Sequence, residues 1–178
     1  ILGFLGSAQA GTLKMKAAHY FDENHAWDKG VVKFRDIVKA KTNGALDVEI
    51  YNRGVLGSEK DYIQNMMQGA LDLSIVSTAS AGGFAKELTF LDLMFIWKDL
   101  DHWKRAMDGE IGRKIAEVIE KGTAKGGNPG LKLLGYWGGS PRHIISRKAN
   151  YTTVAELAGF KIRVQDSPTQ LEIFKLLG

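Results

Sequence analysis

"LDVEIYNRGVLGSEKDYIQNMMQGALDLSIV", residues 46–76, decides the fold. Leu46, Val48 and Ile50 alternate with Asp47 and Glu49, the spacing of a strand with one apolar face, and the NRG at 52–54 closes it as a turn. Ser58 with Asp61 three residues later is an N-cap pair, a variant of the capping box. Tyr62, Ile63, Met66 and Met67 then form the buried face of a helix that runs up to Gly69. Residues 71–76, LDLSIV, are largely apolar, as a central strand would be. Upstream, Leu13, Met15 and Ala17 alternate with Lys14, Lys16 and Ala18 as a first strand. Trp27, Val31, Phe34 and Val38 recur at i, i+4, i+7 and i+11, one stripe of an amphipathic helix, which the TNG at 42–44 ends with Gly44 as a left-handed cap. Strand–helix–strand–helix–strand at this spacing is a βαβαβ unit: an α/β fold with a parallel sheet and helices packed on it.

Bulk composition narrows the function classes. The chain has 178 residues, 44% hydrophobic and 25% charged, and Lys+Arg exceed Asp+Glu by 24 to 20. No basic run carries interleaved aromatics, so nucleic acid is not indicated. A mild positive excess fits a small anionic ligand or an ordinary solvated surface. With no cysteine, disulfides, thiolate metal sites and cysteine nucleophiles are excluded. "ILGFLGSAQA", residues 1–10, is apolar and ends in the small-x-small pattern of a signal-peptidase site. It reads as the remnant of a signal peptide, with mature protein beginning near Gly11; the alternative is a disordered apolar tag. Ten residues cannot span a bilayer, and no later stretch is long and apolar enough to do so. The expectation is an exported protein.

Downstream, residues 77–87, STASAGGFAKE, read as a loop at the carboxyl end of the third strand, where ligands sit in open α/β sheets. Residues 99–121 predict one or two helices with Trp103, Met107, Ile111, Ile115 and Val118 inward. Residues 125–130 read as an exposed turn, 131–136 as a strand, 138–142 as a flexible crossing and 143–146 as extended chain. Thr153 with Glu156 caps a short helix. In "FKIRVQDSPTQLEIF", 160–174, Phe160, Ile162 and Val164 share one strand face and Lys161 and Arg163 the other. Ser167 is an N-cap, Pro168 the first helical residue, and Gln170 the capping-box partner. A cation thus stands beside a helix start whose free N–H groups favour an anion.

Two of these stretches resemble a known family. "TNGALDVEIYNRGVLGSEKDYIQNMMQGALDL" (42–73) and "GGSPRHIISRKANYTTVAELAGFKIRV" (138–164) are similar to the signature runs of DctP-type extracytoplasmic solute receptors of tripartite ATP-independent periplasmic (TRAP) transporters. The similarity spans the chain after residue 11 and covers only the front half or so of a family member. The resemblance implies a periplasmic-binding-protein-like α/β fold of two hinge-linked lobes. Residues 11–137 would be the first lobe; 138–178 would be the hinge crossing and the start of a second, incomplete one, since forty residues cannot build its core.

The resemblance further implies a periplasmic solute-binding protein, not an enzyme. It would work as a monomer without cofactor, capture a small organic acid anion and deliver it to TRAP transporter membrane subunits. Dicarboxylates, 2-oxo or 2-hydroxy acids and aromatic acids all qualify as the ligand. Arg163 matches the family's carboxylate-binding arginine, whose planar fork suits a carboxylate in a way lysine cannot copy; by the residues alone it could equally be a surface arginine. Arg142 matches the second arginine, which could otherwise serve a hinge ion pair. Tyr136, Trp137, Ser140 and His143 flank it, and Trp137 fits a pocket wall or a core position. Residues 18–27, AHYFDENHAW, follow the first strand, and there His19 or Asn24 would hydrogen-bond a hydroxyl or keto oxygen of the ligand. Ser77, Thr78 and Ser80 are similar candidates; their lack of charge departs from sialic acid-binding members. His19, Asp22, Glu23 and His25 fit no compact zinc spacing, so no metal is expected. The competing readings are the receptor of an ATP-driven importer, and an exported α/β hydrolase or isomerase using His19 or His25 as a base. The latter lacks a G-x-S-x-G elbow and any thiol.

Overall fold

The computed structural model describes residues 11–122, 129–138, 141–147 and 150–178. The proposed leader (1–10), part of the turn at 125–130, Ser140 and part of the 138–142 crossing lie outside them. The chain divides into two compact units, one ending at Ile75 and the other Val76–Gly178.

The first unit is the predicted βαβαβ. β1 (Leu13–Ala18), α1 (Ala26–Lys41), β2 (Leu46–Tyr51), α2 (Glu59–Met67) and β3 (Leu73–Ser74) follow in order. The sheet order is β2-β1-β3 with both pairings parallel, in the register Met15↔Val48 and Ala17↔Leu73. β1 is therefore the central strand, and β3 is short and at an edge, not the central strand its composition suggested. Just before β3, Asp72 donates its amide to Lys16 O at 3.1 Å and accepts from the Lys16 amide through Oδ2 at 2.7 Å. The core packs Ala17, Val31 and Val48 with Met15, Phe34 and Ile50, so the α1 stripe faces the sheet as its spacing predicted. Ser58 and Asp61 form the full capping box at α2, and Tyr62 and Ile63 are buried beneath it while Met67 is exposed. Arg53 and Gly54, both at positive φ, shape the turn after β2.

The second unit holds α3 (Thr78–Phe84), a 3-10 helix (Lys86–Asp92), α4 (Leu100–Asp108), α5 (Glu110–Lys121), a second 3-10 helix (Val154–Leu157) and α6 (Pro168–Leu176). Four expectations are corrected here. Residues 77–87 are not a loop: Ser77 caps α3, and Gly82 serves packing, since a Cβ there would meet the Thr89 backbone at 3.3 Å. Residues 131–136 and 160–164 form no strand; alternation gives a strand only where a neighbour supplies the ladder, and no described segment pairs with either. Leu133 and Tyr136 instead pack on the core of Ala85, Leu88, Met107 and Ile115. Ile111 is exposed, because the chain breaks at Gly109 between α4 and α5 and the four-residue spacing from Met107 does not carry across a break. The alternation at 160–164 still holds in burial: Phe160, Ile162 and Val164 are partly covered, while Lys161 and Arg163 are exposed. Thr153 and Glu156 form the expected capping box.

Candidate functional site

In the first unit, His19 closes β1 and is 0% exposed. Its Nε2 lies 3.1 Å from Asp28 Oδ1, and the same carboxylate oxygen accepts from Asn52 Nδ2 at 3.3 Å. The His19 backbone bonds to Tyr51 and Gly54, so the residue ties the end of β1 to the end of β2 and the turn that follows. Neither ring nitrogen reaches full hydrogen-bond geometry among the described residues. Burial accordingly lowers its pKa below 6.5, with Asp28 opposing the shift, and the imidazole is neutral at pH 7. His25 is the N-cap of α1, accepting from the Trp27 amide through Nδ1 at 3.2 Å and stacking on Phe21. Asn24 is exposed in the turn between them.

A depressed histidine pKa makes stability depend on pH with a definite sign. Below 6.5 the unfolded chain takes a proton that the folded chain refuses, so the stabilisation is present above 6.5 and is lost as pH falls through the lower folded value. The depressed carboxylates of Asp47, Asp61, Glu110 and Glu156 start from ordinary values of 3.8 to 4.5, so their effect lies at lower pH. Melting temperature is expected to fall as pH drops below 6.5, and His19→Gln should flatten that slope. Parallel slopes in parent and variant would refute the assignment.

In the second unit, Ser77 and Ser80 sit together at the start of α3, their hydroxyls 3.4 Å apart, and Ser77 also accepts from Gln165 Nε2 at 3.5 Å. Gln165 stands two residues beyond Arg163 and opens a polar network that sequence reading missed. Its amide donates to Gln170 Oε1 at 3.3 Å. Gln170 Nε2 donates to Asp92 Oδ1 at 3.0 Å, and the Ser167 hydroxyl donates to Asp92 Oδ2. Ser167 Oγ accepts from the Gln170 amide at 3.3 Å as the predicted N-cap. The reciprocal half of the predicted box is absent, because Ser167 N already donates to Gln165 O and the Gln170 side chain turns to Gln165 and Asp92. The α6 start is thus fastened to the end of the first 3-10 helix by groups buried at 2% (Ser167) and 6% (Gln170).

Arg163 and Arg142 are both exposed, and neither makes an ion pair among the described residues. Trp137 is 40% exposed; its neighbour Tyr136 is tied to the core, its hydroxyl donating to Gly112 O, and burial pushes the phenol up to about 12. Among the described residues no group of three or more His, Asp or Glu could hold a metal ion, and no helix is long and apolar enough to cross a membrane. Among the described residues Arg163 is therefore a guanidinium without a counterion, on a segment whose far end is pinned at two places. That arrangement can bind an anion.

Known proteins share this arrangement of elements. A solute-binding protein of Sulfitobacter sp. (strain NAS-14.1) is 33% identical over 98% of this chain and 51% of its own length. The crystal structure of a TRAP periplasmic solute binding protein from Roseobacter denitrificans, with bound L-galactonate, is 28% identical with a TM-score of 0.83, over 93% of this chain and 52% of that one. One from Sulfurospirillum deleyianum with bound succinate is 25% identical with a TM-score of 0.84, over 93% and 51%. The chain spans about half the length of the relatives it matches. The model of the family DctP, bacterial extracellular solute-binding protein family 7, matches residues 17–178, and with the βαβαβ unit and the arginine-bearing segment in place the chain belongs to that family.

Proposed function

We propose that this chain is part of a periplasmic solute receptor that captures a small organic carboxylate and hands it to the membrane subunits of a TRAP transporter. The observation that carries the reading is Arg163: exposed, without an ion-pair partner among the described residues, and followed by a segment anchored at Gln165, Ser167 and Gln170. A planar guanidinium held in place accepts a carboxylate through two parallel hydrogen bonds. L-galactonate and succinate, the molecules bound by two relatives, both carry that group. Arg142 would meet a second anionic or polar oxygen, Trp137 would line the ligand's apolar side, and Ser77 and Ser80 would meet hydroxyls; Asn24, exposed on the first unit, is open to the same kind of contact. His19, wholly buried against Asp28, would hold the loop that carries Asn24 rather than touch the ligand. Functionally, residues 1–10 would be the end of a cleaved leader, 11–137 a first lobe and 138–178 the crossing toward a second. The receptor would act as a monomer.

A thermal-shift panel on the complete receptor tests this. Succinate, galactonate and 2-oxo acids should raise the melting temperature, and no product should form. Methyl esters of the same acids, neutral sugars and cationic amines should not, since each would bury a guanidinium without a partner, at several kcal/mol. Esters or neutral sugars stabilising as well as the free acids would overturn the reading.

A further inference from the structure

Resting on the reading that Arg163 binds the ligand's carboxylate, we infer that Asp92 is a positioning residue for Arg163, acting through Gln170 and Gln165. Both oxygens of Asp92 are engaged at the start of α6, by the Ser167 hydroxyl and by Gln170 Nε2. Gln170 bridges onward, its Oε1 accepting from the Gln165 amide at 3.3 Å and its Nε2 lying 3.4 Å from Gln165 Oε1. Gln165 in turn reaches Ser77 at the start of α3. Two residues from Arg163, the Gln165 backbone is thus held by Gln170 and its side chain by Ser77, 88 residues away in sequence.

Charge gives the arrangement a second consequence. A carboxylate near a helix N-terminus opposes the positive end of the dipole, so the α6 start that could have competed for the ligand's anion already faces a negative charge from within. Asp92 does this without pairing with Arg163, whose guanidinium stays without an ion-pair partner among the described residues. A two-pronged contact needs its arginine held to about half an ångström. Fixing a long side chain already costs rotamer freedom, so the backbone it stands on must not add to that loss.

The test is a double-mutant cycle in the complete receptor, read by calorimetry with succinate and galactonate as probes. Asp92→Asn keeps the shape but turns one acceptor oxygen into a donor facing other donors. It should weaken binding about tenfold when Arg163 is present and less than twofold in an Arg163→Lys background. Hydrogen exchange at the amides of residues 165–167, measured without any ligand, should speed up at least tenfold. A general structural role would lower the melting temperature yet weaken binding equally in both backgrounds, and that result overturns the inference. So does unchanged binding, or unchanged exchange, in Asp92→Asn. If Arg163→Lys alone binds like the parent, the carboxylate-clamp reading fails first and this inference with it; if Arg163→Lys is poor while Asp92→Asn is normal, only the positioning role fails. Should Asp92→Asn not fold, Gln170→Met cuts the same link while leaving the Ser167–Asp92 bond, and the same pattern in the cycle and in exchange is required of it.

Discussion

Replacing Arg163 with alanine in the complete receptor is expected to weaken carboxylate binding by about 3–5 kcal/mol, more than a hundredfold in Kd. The size follows from what is left behind. A carboxylate drawn out of water onto a protein surface loses its hydration, and a two-pronged guanidinium contact offsets that loss. Without the arginine the ligand's charge is desolvated and unpaired, which costs more than the pair itself contributes. Arg163→Lys should also bind poorly, because a point charge on a flexible stem replaces the fork. Stability should hardly change in either variant, since Arg163 is exposed and without an ion pair among the described residues. Calorimetry finding both variants within twofold of the parent would remove Arg163 from the site.

How far this site was legible in sequence depends on the range of the interactions that build it. Local signals read well. Val31 and Phe34 of the predicted stripe pack on the sheet, and the Ser58–Asp61 box forms, because helix periodicity and capping are settled within a few residues. The cation on the open face of 160–164 was legible for the same reason. Signals needing a partner read badly. Residues 131–136 and 160–164 carry apolar spacing suited to strands, but a strand exists only through its neighbour's backbone, which spacing cannot report. Gly82 and Gly83 suggested a loop where α3 forms, because a glycine required for helix packing, as Gly82 is, looks like one required for a turn. Asp92 drew no notice at all. Its partner Gln170 lies 78 residues away, and no local pattern marks an aspartate that will hold the side chains at a distant helix start.

The same limit applies to Gly112, where the second large effect is expected. Gly112→Ala should destabilise the second unit by about 3 kcal/mol or more, lowering the melting temperature by roughly 6 °C or more. Nothing in its backbone angles demands glycine, since it is not among the residues at positive φ. The demand comes from packing: α4 ends at Asp108 and α5 begins at Glu110, so the first turn of α5 lies directly on the last turn of α4. A Cβ on Gly112 would stand 1.7 Å from Met107 O and 2.6 Å from Met107 C. These are backbone atoms, which cannot swing aside as a side chain would. The helices would have to part, drawing Met107 and Ile115 out of contact in the core and pulling Gly112 O from the Tyr136 hydroxyl. Gly83 supplies the control. It lies in α3 with open space where its Cβ would be, and alanine is the better helix former by about 1 kcal/mol, so Gly83→Ala should leave the melting temperature unchanged or raise it. If Gly112→Ala melts within a degree of the parent, α4 and α5 do not meet as described, and the packing that brings Tyr136 to the core beside Trp137 would have to be redrawn.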